Sequence, residues 1–346
     1  MKFPKMRWLI MFVLIAQSNA NAAVNSGAKT PQKISPVALD EVLWWLPEDT
    51  ELVASIQSND AKTIFKTSIA GVGLGGAGRG QFVEQLARIP VARIVEGSRK
   101  FRDTGGFGLM PFEGCSIIDL QSDLPKDHAL LQWLAKNARR TETIAGYKTF
   151  IFNEKLEQDQ WNFLIVHLRP NVLLCATNQN YLESVLRRRL RNADEREKTV
   201  RALPATLPEW KYVDTKSTDW AVRHFRKDQA RFDPTSPFYK HTFLPDNDAI
   251  GITYSLNTKQ NVAAVHYLTS PRNTASMAKE YKQFWASLID GMGGVSDSAG
   301  KWRPEIATQP NGVIKMAFSF IQPELTDTVG MFSLGLLALM GHAIVV

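Results

Sequence analysis

Leu46-Pro47-Glu48-Asp49-Thr50-Glu51-Leu52-Val53-Ala54-Ser55-Ile56-Gln57 is the stretch from which the rest of the chain is read. Pro47 fixes φ and the two acids after it favour a turn. Apolar and β-branched residues then take over, so the stretch predicts a turn feeding a β-strand. The same order of Leu, Pro, two polar turn formers, a two-residue spacer, an aliphatic residue and a strand recurs at Leu244-Pro245-Asp246-Asn247-Asp248-Ala249-Ile250-Gly251-Ile252-Thr253-Tyr254. Two such openings point to two related α+β units. Strand side chains alternate with period two, so Leu52 and Ile250, each six positions after its Leu-Pro leucine, are expected to face their cores. A ligand cleft is expected between the units.

Outward from the first opening, Asp60 is placed to cap a helix carrying Ile64, Phe65 and Ile69 on one face, and the glycine run Gly71 to Gly80 interrupts it. Gln81 to Val95 reads as a second amphipathic stretch, followed by a loop from Gly97 to Gly108. Gly114 to Leu120 reads as a strand, and Asp127 begins a helix with Leu130, Leu131, Leu134 and Ala138 on its apolar face. Thr149 to Asn153, Trp161 to Leu168 and Val172 to Thr177 are short, β-rich and separated by polar or Pro-Asn turns, the pattern of an antiparallel meander. Tyr181 to Arg191 returns to helical spacing. The charge-dense stretch Asn192 to Leu207, with Pro204 inside it and Pro208 beyond, marks a domain boundary. Beyond it strands are expected at Asp219 to Phe225, Ala249 to Leu256, Val262 to Thr269 and Val313 to Phe320, with a helix from about Thr274 to Leu288.

This pattern predicts an α+β fold with predominantly antiparallel sheets and helices packed on one side, divided as residues 1–22, 23–36, 37–200 and 201–346. The first span reads as a signal peptide: Lys2, Lys5 and Arg7, an apolar run from Trp8 to Ala16, and small residues at Ala20-Asn21-Ala22. No Cys follows it, so no N-terminal lipid anchor is expected. The second span is a flexible lead-in and the last two are α+β domains. Val329 to Val346 closes the chain with 18 uncharged residues, about 27 Å as one helix, and no Lys or Arg follows it. It is expected to be a core helix rather than a membrane anchor.

Export frames the chemistry. Without the three basic leader residues the formal charge falls from +7 to +4, which is mild, and an exported chain rarely meets nucleic acid. Cys115 and Cys175 are the only cysteines, and both sit in strand-like apolar runs where buried free thiols are commoner than a disulfide.

Motifs that carry chemistry are incomplete. The glycine run matches G-x-G-x-x-G twice but follows a helix-like stretch rather than a strand, and no nucleotide cofactor is expected. Ser276-Met277-Ala278-Lys279 fits S-x-x-K without the S-D-N or K-T-G elements that its chemistry needs. Six histidines are scattered with no metal-ligand spacing, although His167, His224 and His266 fall inside predicted strands. No cofactor, no metal and no catalytic residue is assigned.

Two features remain as candidate ligand contacts. Arg187, Arg188 and Arg191, with Arg189, crowd the end of a helix, where the dipole favours cations and an anionic polymer or lipid would find them. Eight tryptophans follow the leader, and Trp210 and Trp302, beside prolines and charges, are the ones expected to stand exposed as stacking platforms for a glycan. The expectation is therefore an exported, non-enzymatic protein that binds or scaffolds a component of the cell envelope. The alternatives are an exported hydrolase whose site joins His224 or His266 to a nearby carboxylate, and a glycan-binding protein. No stretch matches a motif set specific enough to carry residues over from a known family.

Overall fold

The computed structural model describes residues 36–57, 82, 84–103, 109–152, 162–191, 206–225, 249–260, 262–269, 271–272, 274–292 and 304–319. The leader, nearly all of the lead-in, the Asp60 helix, the glycine run, Leu244-Pro245, Trp302 and Val329 to Val346 lie outside the described residues.

Leu52–Ile56 forms strand β1, as the turn before it predicts, and all five of its residues are buried. It lies near the middle of a twelve-stranded sheet in which all the strand pairs are antiparallel. The others are β2 (Val91–Asp103), β3 (Leu109–Leu120), β4 (Arg140–Ile144), β5 (Tyr147–Ile151), β6 (Leu164–Arg169) and β7 (Val172–Ala176). The second half adds β8 (Asp219–His224), β9 (Ala249–Asn257), β10 (Val262–Thr269), β11 (Glu305–Gln309) and β12 (Val313–Ser319). Their order across the sheet is β11-β12-β10-β9-β8-β1-β2-β3-β7-β6-β5-β4. Among the described residues the fold is thus mixed helix and strand, with one large antiparallel sheet and few helices.

Helices lie on both faces of this sheet, not on one. Alternation along β1 sends Leu52, Ala54 and Ile56 into one apolar cluster and Val53 into another. The first cluster takes Leu130 and Leu134 from helix α2 (Ala129–Asn137) and Met277, Ala278 and Tyr281 from helix α4 (Thr274–Met292). The second takes Val42 to Trp45 from helix α1 (Leu39–Trp45) and Tyr181, Leu182, Val185 and Leu186 from helix α3 (Gln179–Leu190). A central strand that is apolar on both sides needs cover on both sides, and the one-sided expectation overlooked that Val53 and Leu52 are equally buried.

The recurring Leu-Pro opening does not mark equivalent strands. β1 sits between β8 and β2, whereas the strand after Leu244-Pro245 is β9, between β8 and β10. Leu52 is fully buried as expected, but Ile250 is 39% exposed. Successive residues Leu268 and Thr269 of β10 pair with Gly251 and Ala249, so Ile250 is the extra residue of a bulge. Nor does a cleft open between the halves at the β1–β8 pair, whose Ala54 and Ala221 are both fully buried.

Three further stretches depart from the sequence reading. Of the stretch Gln81 to Gly108, where a helix and then a loop are expected, the described residues are helical only near the start, where residues 84–87 follow a buried Phe82. Pro90 ends them and β2 begins at Val91. β4 and β11 are strands that the sequence reading omitted.

The two cysteines are free and buried. Cys175 pairs with Ser116 while Cys115 pairs with Ala176, and the thiols join opposite apolar clusters. A strand pair with neighbouring residues on opposite faces cannot close a disulfide.

Candidate functional site

Two places gather the residues that the sequence singled out. The first lies on the α1/α3 side of the sheet where β8, β9 and β10 run under a 3-10 helix, Pro208–Tyr212. Pro208 opens this helix, since its fixed φ suits the first helical position and it has no amide to leave unpaired. Glu209 follows and is completely buried. Its Oε1 lies 2.8 Å from Nδ1 of His224 on β8. With Glu209 as a carboxylate, which only accepts, the contact requires the tautomer that carries its proton on Nδ1. The approach depends on Gly251 of β9, because a Cβ there would stand 2.2 Å from Glu209 Oε1.

His266 of β10 projects on the same side, with Nδ1 3.2 Å from the hydroxyl of buried Thr253 and its ring stacked 5.8 Å from Tyr212. Burial, and then the neighbouring Lys315 on β12, push its pKa down to about 4. Asp214 is held by its backbone N–H, which donates to Ser255 Oγ at 2.9 Å. The group therefore offers an oriented imidazole, a neutral second imidazole and a buried carboxylate. Thr253 is fully buried, so the Thr253–His266 contact presents no hydroxyl to an outside substrate. Of the sequence candidates, His224 is brought to a carboxylate, and His266 is brought to a hydroxyl. Glu209 went unread because an acid after proline looks like ordinary turn chemistry, and only burial sets it apart.

The second place is the end of α3. Asn178 caps its start, its side-chain oxygen accepting from the amides of Asn180 and Tyr181 at 2.8 and 3.3 Å. Its last turn carries Arg187, Arg188 and Arg189 where cations suit the dipole. Their side chains part company. Arg188 turns inward, donating from Nε to the Trp44 carbonyl at 2.9 Å with its guanidinium 4.8 Å from the Trp44 ring centre. Burial lowers its pKa, and Glu48 at 3.7 Å opposes that shift. Arg189 reaches the Tyr147 hydroxyl and lies near the Trp45 ring, which Arg169 also approaches. Arg187 stays outside, 2.9 Å from Glu183, and Arg191 is exposed. Leu190, between them, is 59% exposed.

Trp210 is half-buried, and Trp220 meets its ring edge-on at 5.5 Å between centres. Among the described residues no group of three or more His, Cys, Asp or Glu could hold a metal ion, and no helix is long and apolar enough to cross a membrane.

Three solved structures of TP0453 are similar to this chain in outline. Crystal form I aligns with a TM-score of 0.47 at 7% identity over 85% of this chain and 97% of TP0453. Form III gives 0.42 at 7% over 86% and 97%, and form IV gives 0.41 at 8% over 87% and 96%. No protein-family model matches the chain, and no curated protein does.

Proposed function

We propose that this is an exported, non-enzymatic protein that binds or scaffolds an anionic component of the cell envelope, and that it does so through the end of α3. One observation carries the reading: Leu190, the last residue of α3, stands 59% exposed, three positions after exposed Arg187 and directly before the exposed C-cap residue Arg191. A large apolar side chain held in water beside guanidinium groups matches an anionic lipid surface, which takes both. Arg188 serves that surface from behind, fastening the helix end to α1 through the Trp44 carbonyl.

Co-sedimentation with phosphatidylglycerol-containing vesicles tests it. Binding is expected to exceed that to phosphatidylcholine alone, to weaken with salt, and to fall in Leu190→Glu and in Arg187→Gln/Arg191→Gln. Equal binding to both vesicle types, or none, overturns the reading.

We also propose that the chain is built from two related units, with spans 37–200 and 201–346, in a different alignment from the Leu-Pro one. α1 ends at Trp45 with β1 starting at Leu52, and the 3-10 helix ends at Tyr212 with β8 starting at Asp219, each 167 positions on. Each half then runs through a three-strand meander, β1-β2-β3 or β8-β9-β10. A helix follows on the same apolar face, α2 or α4, and returning strands bring the last one, β7 or β12, beside the third. The β1–β8 register, Leu52 with Arg223, Ala54 with Ala221 and Ile56 with Asp219, is the two-fold register that this offset requires.

A hydrolase is the second reading, favoured by the 2.8 Å contact of His224 with buried Glu209. A carboxylate that fixes the tautomer and orientation of an imidazole is one part of a nucleophile-activating set. A screen of the purified chain against ester, peptide and glycoside substrates tests it: turnover abolished by His224→Ala would displace the binding proposal.

A further inference from the structure

We propose that the outer edge of β11 is a docking surface for a second copy of this chain, which adds its own β11 antiparallel to the first and continues the sheet across a two-fold axis. Among the described strands the sheet ends at β4 and β11, and the end of a sheet presents a row of backbone donors and acceptors to a further strand. The two are finished differently. β4, Arg140-Thr141-Glu142-Thr143-Ile144, carries a cation and an anion joined 2.9 Å apart, the charged finish that discourages pairing. β11, Glu305-Ile306-Ala307-Thr308-Gln309, has no Lys, Arg or Pro, and its one charge is at its end.

The other half of the molecule indicates what belongs outside β11, and this step rests on the two-unit reading above. In that alignment β10, β12 and β11 answer to β3, β7 and β6. β6 is not an edge, because β5 pairs along its outer side through Thr149 with Val166, Phe150 with Ile165 and Ile151 with Leu164. The place outside β11 is therefore one that this fold fills with an antiparallel strand in its first half, and none of the described strands fills it in the second.

β11 is also complementary to itself. An antiparallel pair centred on Ala307 sets Ile306 against Thr308 and Glu305 against Gln309, so β-branched residues meet and no like charges are opposed. Ile306 and Thr308 share the face of the larger apolar cluster, which already includes Ile306. The same two-fold arrangement joins β1 to β8 within one chain.

The test uses the full mature chain. Sedimentation velocity over a concentration series is expected to show monomer passing to dimer. Ala307→Lys and Thr308→Pro should each shift it back to monomer with circular dichroism and melting unchanged. Ala307→Cys should form a disulfide-linked dimer under mild oxidation, since directly opposed strand residues bring Cβ atoms to about 4.5–5.5 Å, whereas Thr141→Cys on β4 should not. A wild-type chain that stays monomeric throughout, or a dimer that survives both edge variants, overturns the proposal. A chain that stays monomeric overturns the edge proposal whatever the relation of the two halves, whereas halves that do not superpose strand for strand would overturn the two-unit reading and leave the dimer measurement unaffected.

Discussion

Ala54 and Ala221 face one another across the β1–β8 pair, both fully buried, so a single strand contact joins the two halves of the sheet. Both belong to the larger apolar cluster, which reaches from Leu130 in the first half to Phe318 in the second. Unfolding is expected to be one cooperative transition rather than two. Ala221→Leu should lower it as a whole by about 1–3 kcal/mol, the cost of forcing methylenes into a packed core. Calorimetry showing two resolved transitions, with only one moved by the substitution, would mean that β1 and β8 do not couple the halves.

The thiols offer a second check. Burial, followed by the nearby Glu96 and Cys175, pushes the Cys115 thiol far above its ordinary range, and a protonated thiol is a poor nucleophile. Native protein should leave both cysteines unmodified by a thiol reagent in the absence of reductant. Denatured protein should release two reactive thiols. A denatured, unreduced chain that releases none would mean that Cys115 and Cys175 are bonded.

His266 predicts a pH dependence of known sign. Burial, with Lys315 second, places its folded pKa at about 4, below the 6.5 of an ordinary imidazole. Between those values the unfolded chain binds more protons, so stability rises with pH through the window and is lost as pH falls through about 4. Lys315→Met removes the lesser cause, so the imidazole resonance should titrate higher than in wild type yet remain below 6.5. An NMR titration midpoint of 6.5 or above in the unsubstituted chain would contradict the placement of this ring.

What the sequence made legible follows from how much each stretch is dominated by apolar burial. Val172-Leu173-Leu174-Cys175-Ala176 is buried throughout, and its strand, its meander and the helix after Asn178 were all readable. β2 was not, because Arg93, Glu96 and Ser98 occupy buried positions that alternation assigns to apolar residues. For Arg93 and Glu96 the compensation comes from elsewhere in the chain: Arg93 Nη2 reaches Asp119 at 2.6 Å, and Ser116 donates to Glu96 at 3.1 Å. Arg187, Arg188 and Arg191 were found as a cluster, but the inward turn of Arg188 depends on Trp44, 144 positions away. The pairing of His224 with a carboxylate was foreseeable in kind, whereas the choice of Glu209 required the fold.

Gly251 tests how the 3-10 helix is held. Glu209 is fully buried with Oε1 on His224, and a Cβ at position 251 would come within 2.2 Å of that oxygen and 2.5 Å of Cδ and Cγ. Gly251→Ala therefore forces the carboxylate off its site, which gives up the histidine contact and uncovers the Trp210–Trp220 packing beside it. Urea unfolding should show a loss of about 1–3 kcal/mol. Glu209→Ala removes the same carboxylate and leaves room for the new methyl group. The double variant should then cost clearly less than the two single changes together, because residues in contact do not act additively. Additive losses would mean that the glycine serves only the β9 bulge, and that the His224–Glu209 contact does not hold the helix to the sheet.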